Sequence, residues 1–279
     1  MNYKKFNKEI NQIINLAILE DHLHKDITSK LSFKKNHTSL VKIICKEKAV
    51  IFGIEIVKKI LQKVDKRIKI KTFVKDGSIV KKNKVIASLK GKTISILKSE
   101  RTLLNFLGQL SGVATQTNQL KKLTKKYKTK ICCTRKTLPG LRVLQKFAVE
   151  TGGGTNNRFN LEEEIFIKDN HHLDKISFRE KIIKIIKLNK RKKIITGEVD
   201  SINQLKSITD LKINRILLDN FNPKKLKLAV KLIPKNIETE ASGGINKKNI
   251  VSYAKTGVKR ISLGSLTHSV KNIDFSLIF

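Results

Sequence analysis

The first hundred residues alternate short apolar runs with charged ones. Val41 to Cys45, Ile68 to Val74 and Val85 to Leu89 have strand-like composition, and Asp76-Gly77 and Gly91 supply turn signals between and after them. Ahead of these runs, Ile10, Ile13, Ile14, Ala17 and Ile18 fall on one helical face. The acidic pair Glu20-Asp21 follows, where a secretory leader would place a small-residue cleavage site, so the segment reads as a folded amphipathic helix. The pattern predicts helices packed on an antiparallel sheet. Near residue 100 it changes: Leu103, Leu107, Leu110 and Ala114 form the apolar stripe of a long helix, in which Ser111-Gly112 is a local weak point.

From residue 131 onward the order becomes strand, loop, helix, repeated. Apolar strand candidates end near Cys133, Ile167, Val199, Leu218, Thr239 and Leu263, with helical stretches such as Ile176 to Leu188 and Lys224 to Leu232 between them. This alternation predicts a parallel sheet. A polar or glycine cluster accompanies each strand end: Thr134-Arg135-Lys136, Lys168-Asp169-Asn170, Glu198, Asp219-Asn220, Ser242-Gly243-Gly244 and Gly264-Ser265. In a (β/α) barrel all such loops converge on one mouth, whereas a doubly wound sheet gathers its binding groups at a single switch point. Clusters after every strand favour the barrel.

Composition adds limits. The 279 residues are 39% hydrophobic and contain no apolar run approaching the ~18 needed to span a membrane. Three cysteines, two of them the adjacent Cys132-Cys133, make no C-x-x-C motif and fit a reduced cytoplasmic setting. The formal charge of +37 would attract any polyanion, but its lysines are dispersed among Ile and Asn without an Arg-rich tail. That dispersal reads as compositional bias, and nucleic acid is not the expected partner.

The mouth inventory is cationic with two carboxylates: Arg135, Lys136, Arg158 and Lys168 against Glu198 and Asp219. Arg grips carboxylate or phosphate in two-pronged fashion, and Lys supplies a compact charge. Two separate carboxylates suit Mg²⁺, which commonly bridges protein and pyrophosphate. Glycines at strand-to-helix turns let backbone N–H groups approach a phosphate. The run Gly152-Gly153-Gly154 marks a special backbone path. His171-His172 and His268 lack metal-ligand spacing and read as ordinary polar loop residues.

At these positions the chain resembles the quinolinate phosphoribosyltransferase family. The resemblance is carried by Ala17 to Asp21, ERTLLNFLGQLSGVAT from Glu100, TRKTLPGLR from Thr134, AVETGGGTNNR from Ala148, IFIKDNH from Ile165, GEVDS from Gly197, LLDN from Leu217, ASGGI from Ala241 and ISLGSLTHS from Ile261. It implies an open (β/α) barrel with an N-terminal α/β sandwich domain: residues 1–110, joined by 270–279, forming the sandwich and 111–269 the barrel. It also implies a homodimer in which Arg101 reaches the partner's mouth. By the same likeness Thr134, Arg135, Lys136, Asn157, Arg158 and Lys168 bind quinolinate and phosphoribosyl pyrophosphate. Glu198 and Asp219 hold the ribose and Mg²⁺ side of the donor, and Ser242, Gly243, Gly244, Gly264 and Ser265 its phosphates. Lys136, Glu198 and Asp219 are the expected catalytic residues. The family commonly has Asn-His-Arg after the glycines, where this chain has Asn156-Asn157-Arg158, and Asn157 cannot carry a proton or charge as His can. A milder departure is Lys25-Asp26, where the family often has Gly-Asp. A paralogous phosphoribosyltransferase with another substrate is therefore the nearest alternative. An inactive polybasic nucleic-acid-binding derivative ranks below it, because all the charged mouth residues are present.

Overall fold

In the computed structural model, residues 5–168, 171 and 176–279 are described. In chain order the elements are α1 (Asn7–Glu20), α2 (Ile27–Ser32), β1 (Thr38–Cys45), β2 (Ala49–Val50), α3 (Ile54–Val64), β3 (Lys69–Thr72), β4 (Ile79–Val80), β5 (Lys84–Lys92) and α4 (Thr93–Leu123). They continue with β6 (Lys130–Cys132), α5 (Arg142–Thr151), β7 (Glu164–Ile167), α6 (Phe178–Leu188), β8 (Ile194–Val199), α7 (Ile202–Lys206), β9 (Arg215–Asp219) and α8 (Pro223–Leu232). The last are β10 (Glu238–Ser242), α9 (Ile250–Ala254), β11 (Arg260–Ser262), α10 (Ser265–His268) and β12 (Phe275–Ile278). They form two compact units, one of Met1–Asn118, Thr137–Gly153 and Leu266–Phe279, the other of Gln119–Lys136 and Gly154–Ser265.

The first unit holds a four-stranded antiparallel sheet in the order β12-β1-β5-β3. The C-terminal strand β12 thus closes an edge of the N-terminal sheet. α1 buries Ile10 and Ile14 completely, as its apolar face requires. α4 runs unbroken through Ser111-Gly112. The Ser111 hydroxyl accepts from Phe52 N at 3.1 Å, and a side chain at Gly112 would collide with the Lys271 carbonyl. The helix-weakening pair is there because the C-terminal segment passes too close for any Cβ, and tertiary packing outweighs the local propensity.

The second unit holds six parallel strands in the order β6-β11-β10-β9-β8-β7. Strands β7 to β11 lie side by side in chain order, and β6 joins beyond β11. The order is therefore circular, with the β6–β7 seam lacking a ladder among the described residues, and it runs without a reversal of the kind that creates a switch point. This is an open barrel. Thr155 partly fills the seam: it bridges to Cys132, with Thr155 N donating to Ile131 O at 2.8 Å and Cys133 N to Thr155 O at 3.2 Å.

Strand alternation decides which side chains fill the barrel. Register sets Glu164 and Phe166 level with Ile194 and Thr196, Thr196 with Arg215, and Glu198 with Leu217. It also sets Asp219 level with Ser242 and Glu240 with Arg260. One face thus carries Glu164, Thr196, Arg215, Glu240, Arg260 and Ser262 in its lower and middle layers, all buried. Glu198, Asp219 and Ser242 stand on the same face nearer the carboxyl ends, and continued alternation brings Lys168, Thr134 and Gly264 there too.

Candidate active site

Each strand delivers its cluster to the mouth in its own way. β7 ends at Ile167, and the next residue, Lys168, sends Nζ to within 3.3 Å of Glu198 Oε2 at the end of β8. His171 caps this exit: Lys168 N donates to His171 Nδ1 at 3.0 Å, and His171 N donates to Lys168 O at 2.9 Å. Asp169, Asn170 and His172 lie outside the described residues. Asp219, the last residue of β9, accepts a short hydrogen bond from the Ser242 hydroxyl and another from Asn220 Nδ2 at 2.8 Å. Asn220 itself has φ 56°, a left-handed conformation that Asn tolerates well.

Ser242 leads into Gly243 and Gly244, with φ of 90° and 61°. A Cβ on Gly243 would strike the Asn220 side chain and backbone, while one on Gly244 would meet nothing within 4 Å. Both glycines are thus required by backbone angle, and Gly243 by space as well. Asn249 Nδ2 fixes the turn by donating to Gly244 O at 3.0 Å. Beyond β11, Gly264 leads to Ser265, the first residue of α10. This is a backbone-rich cradle of the kind that accepts phosphate oxygens.

The cationic side begins after β6. Thr134 Oγ1 accepts from Lys136 N at 3.0 Å, leaving the Lys136 side chain exposed and Arg135 half-buried. Arg158 donates from NH1 to Glu164 O at 2.8 Å, and its guanidinium lies 5.0 Å from the centre of the Phe166 ring, which Lys168 Nζ also approaches at 5.2 Å. Burial and the neighbouring Arg135 charge hold the Arg158 pKa below its ordinary value. Two guanidinium groups that repel each other across a partly buried site create a demand for an anion. Arg101, on α4 in the first unit, is exposed.

Asn157 points elsewhere. Its amide donates to Glu240 Oε1 at 2.7 Å and Ser262 Oγ at 3.0 Å, and its carbonyl oxygen accepts a short hydrogen bond from Arg260. It belongs to a polar network that fills the barrel below the mouth. There Arg215 pairs with Glu164 at 2.9 Å and Glu238 at 3.0 Å, and Arg260 pairs with Glu240 at 3.1 Å. A cavity of 310 Å³ adjoins it, bounded by Asn157, Arg158 and the first residues of β7, β8, β9 and β11. Apolar periodicity does not reveal these interior residues. The signal that does is charge at alternate positions of a strand, as in Glu238-Thr239-Glu240.

Cys132 and Cys133 are buried. Burial pushes the Cys132 thiol up to about 12, and its proton therefore stays on at neutral pH. Neither cysteine serves as a nucleophile in this arrangement.

Comparison with known proteins identifies the family. Residues 26–111 match the family model for the quinolinate phosphoribosyl transferase N-terminal domain, and residues 113–278 that for its C-terminal domain. A probable nicotinate-nucleotide pyrophosphorylase (carboxylating) of Bacillus subtilis is 37% identical over 96% of this chain and 93% of its own. One from Methanocaldococcus jannaschii is 38% identical over 90% of each. The solved nicotinate-nucleotide pyrophosphorylase of Francisella tularensis superposes with a TM-score of 0.93 at 36% identity, covering 98% of this chain and 96% of that one. With both halves matched in order, the chain belongs to the quinolinate phosphoribosyltransferase family.

Proposed function

We propose that this chain joins pyridine-2,3-dicarboxylate to phosphoribosyl pyrophosphate, yielding nicotinate mononucleotide, pyrophosphate and CO₂. The observation that carries this reading is the shared mouth of Arg135, Arg158 and Lys168 beside Glu198, Asp219 and the Gly243-Gly244 turn. A cationic wall suits the dicarboxylate, and an oxygen- and N–H-lined wall suits the donor. In the reaction the pyridine nitrogen attacks ribose C1, and the C1–O bond breaks with its electrons leaving on pyrophosphate. The ring nitrogen is then cationic. The bond from C2 to its carboxylate breaks next, the electrons remain at C2 beside that cation, and a proton replaces CO₂ there.

Each residue's task follows from charge. Arg135, Arg158 and Lys168 orient the dicarboxylate, and Lys136 with the Thr134 turn stands beside the departing pyrophosphate. Ser242, Gly243, Gly244, Gly264 and Ser265 offer hydrogen bonds to the donor phosphates. Glu198 and Asp219 favour the positive charge that grows at C1. As carboxylates they are also hard oxygen donors of the kind that Mg²⁺ prefers. Such an ion would supply charge neutralisation on the pyrophosphate. Decarboxylation requires little beyond orientation and exclusion of water.

We infer further that two chains assemble so that the exposed Arg101 of one serves the mouth of the other. Mixing R101A and K136A subunits tests this: activity should reappear in the mixture if sites are shared, and stay absent if each chain acts alone. No helix among the described residues is long and apolar enough to cross a membrane. A cytoplasmic setting accords with this and with the burial of all three cysteines.

The decisive assay is CO₂ release from 2-carboxyl-labelled substrate with the phosphoribosyl donor and Mg²⁺ each present or omitted. Release that needs both supports the reading. No release from folded protein overturns it.

A further inference from the structure

Phe166 faces inward from β7 between Glu164 and Lys168, and the reaction as written gives it no task. Two cations from different parts of the chain lie against its ring, Arg158 at 5.0 Å and Lys168 at 5.2 Å from the centroid. Their charges are met unequally. Lys168 has Glu198 at 3.3 Å, whereas among the described residues Arg158 has a backbone carbonyl, Glu164 O, and no carboxylate at ion-pair distance. Arg135 adds a third positive charge near Arg158, and its effect exceeds the opposing pull of the Glu164 carboxylate. Without a bound anion these groups repel one another.

The face of an aromatic ring carries negative partial charge, and attracts a cation held over it. An aliphatic residue, equally suited to a strand, would fill the same space with no such field. We propose that Phe166 is a specificity-determining residue, whose ring holds the Arg158 and Lys168 cations together so that they receive a pair of adjacent carboxylates rather than one. A monocarboxylate satisfies one cation and leaves the other on the ring; a vicinal dicarboxylate engages both. Phe166 is half-buried. The inference rests on the proposed dicarboxylate reading of the mouth.

The test compares wild type, F166L and F166Y by calorimetric binding of pyridine-2,3-dicarboxylate and pyridine-3-carboxylate, alongside KM for the dicarboxylate and for phosphoribosyl pyrophosphate. In F166L, dicarboxylate affinity should fall about tenfold, the scale of one partly desolvated cation–π contact. Monocarboxylate affinity should fall by less, and the donor KM and melting temperature should hold. F166Y keeps the ring and should match wild type. The proposal is overturned if F166L binds the dicarboxylate normally, if both acids weaken equally, or if donor KM and melting temperature move with them. Wild-type protein that binds the dicarboxylate without turning it over would refute the reaction and leave the Phe166 comparison intact. Wild type that does neither refutes both.

Discussion

Asn157 donates its side-chain amide to Glu240 at 2.7 Å, linking the segment that crosses the barrel's open seam to a carboxylate with no solvent exposure. Glu240 also receives Ser262 and Arg260, and Arg260 reaches back to Asn157, so the four side chains form a closed circuit. An uncharged amide suits this place, because it can donate and accept at once without altering a charge balance already set by Arg260 and Glu240.

Removing the amide should therefore cost stability. N157A leaves a buried carboxylate short of a donor, an expected loss of about 1–3 kcal/mol in urea unfolding. N157D sets a second carboxylate beside Glu240 and should be worse. The double variant N157D/E240Q moves the carboxylate across the contact and should recover much of that loss. A double variant no more stable than N157D would show that the pair is not coupled.

The barrel and its mouth are legible in the sequence because each strand end carries its own polar or glycine cluster, whatever the rest of the fold does. Strand limits follow the apolar runs until an inward charge interrupts them: the run before residue 239 stops early, while β10 continues through Glu240 to Ser242. The interior network is hidden for a different reason. Glu164 meets Arg215, Glu240 meets Arg260, and Asn157 meets Glu240, each across a long stretch of chain, and only the ladder register makes them neighbours. Likewise Ser111-Gly112 reads as a helix flaw until the returning C-terminal segment, pressed against Gly112, explains it.

The two adjacent glycines after β10 should respond differently to alanine. At Gly244 the added methyl enters open space, and the cost is backbone strain of roughly 1–2 kcal/mol. At Gly243 the same strain is joined by collision with Asn220, whose side chain holds Asp219 at 2.8 Å. G243A should accordingly raise the KM for phosphoribosyl pyrophosphate and lower kcat, well beyond G244A, even when both variants are compared at equal folded fraction. Equal kinetic losses in the two would mean that displacement of Asn220 is immaterial and that only the turn's backbone matters.

Acid stability offers a test of the interior charges. Burial acts to raise the pKa of Glu238, but Arg260, Arg215 and Lys130 outweigh it and hold the carboxyl below its ordinary value. A carboxylate with a depressed folded pKa contributes stability that is present above the unfolded value, about 4.3, and is lost as pH falls through the folded one. E238Q removes that contribution and leaves three cations with less to face, so it should be less stable than wild type at neutral pH. As pH falls through the depressed folded value, wild-type Glu238 becomes protonated, resembling the amide, and the gap between the two unfolding free energies should close. Carboxyl groups remote from Glu238 contribute equally in both proteins and cancel in the difference. Urea unfolding of both proteins at neutral pH and at successive steps down to about pH 3 measures this gap, and a difference that stays constant across the range would show that ionisation of Glu238 does not stabilise the barrel.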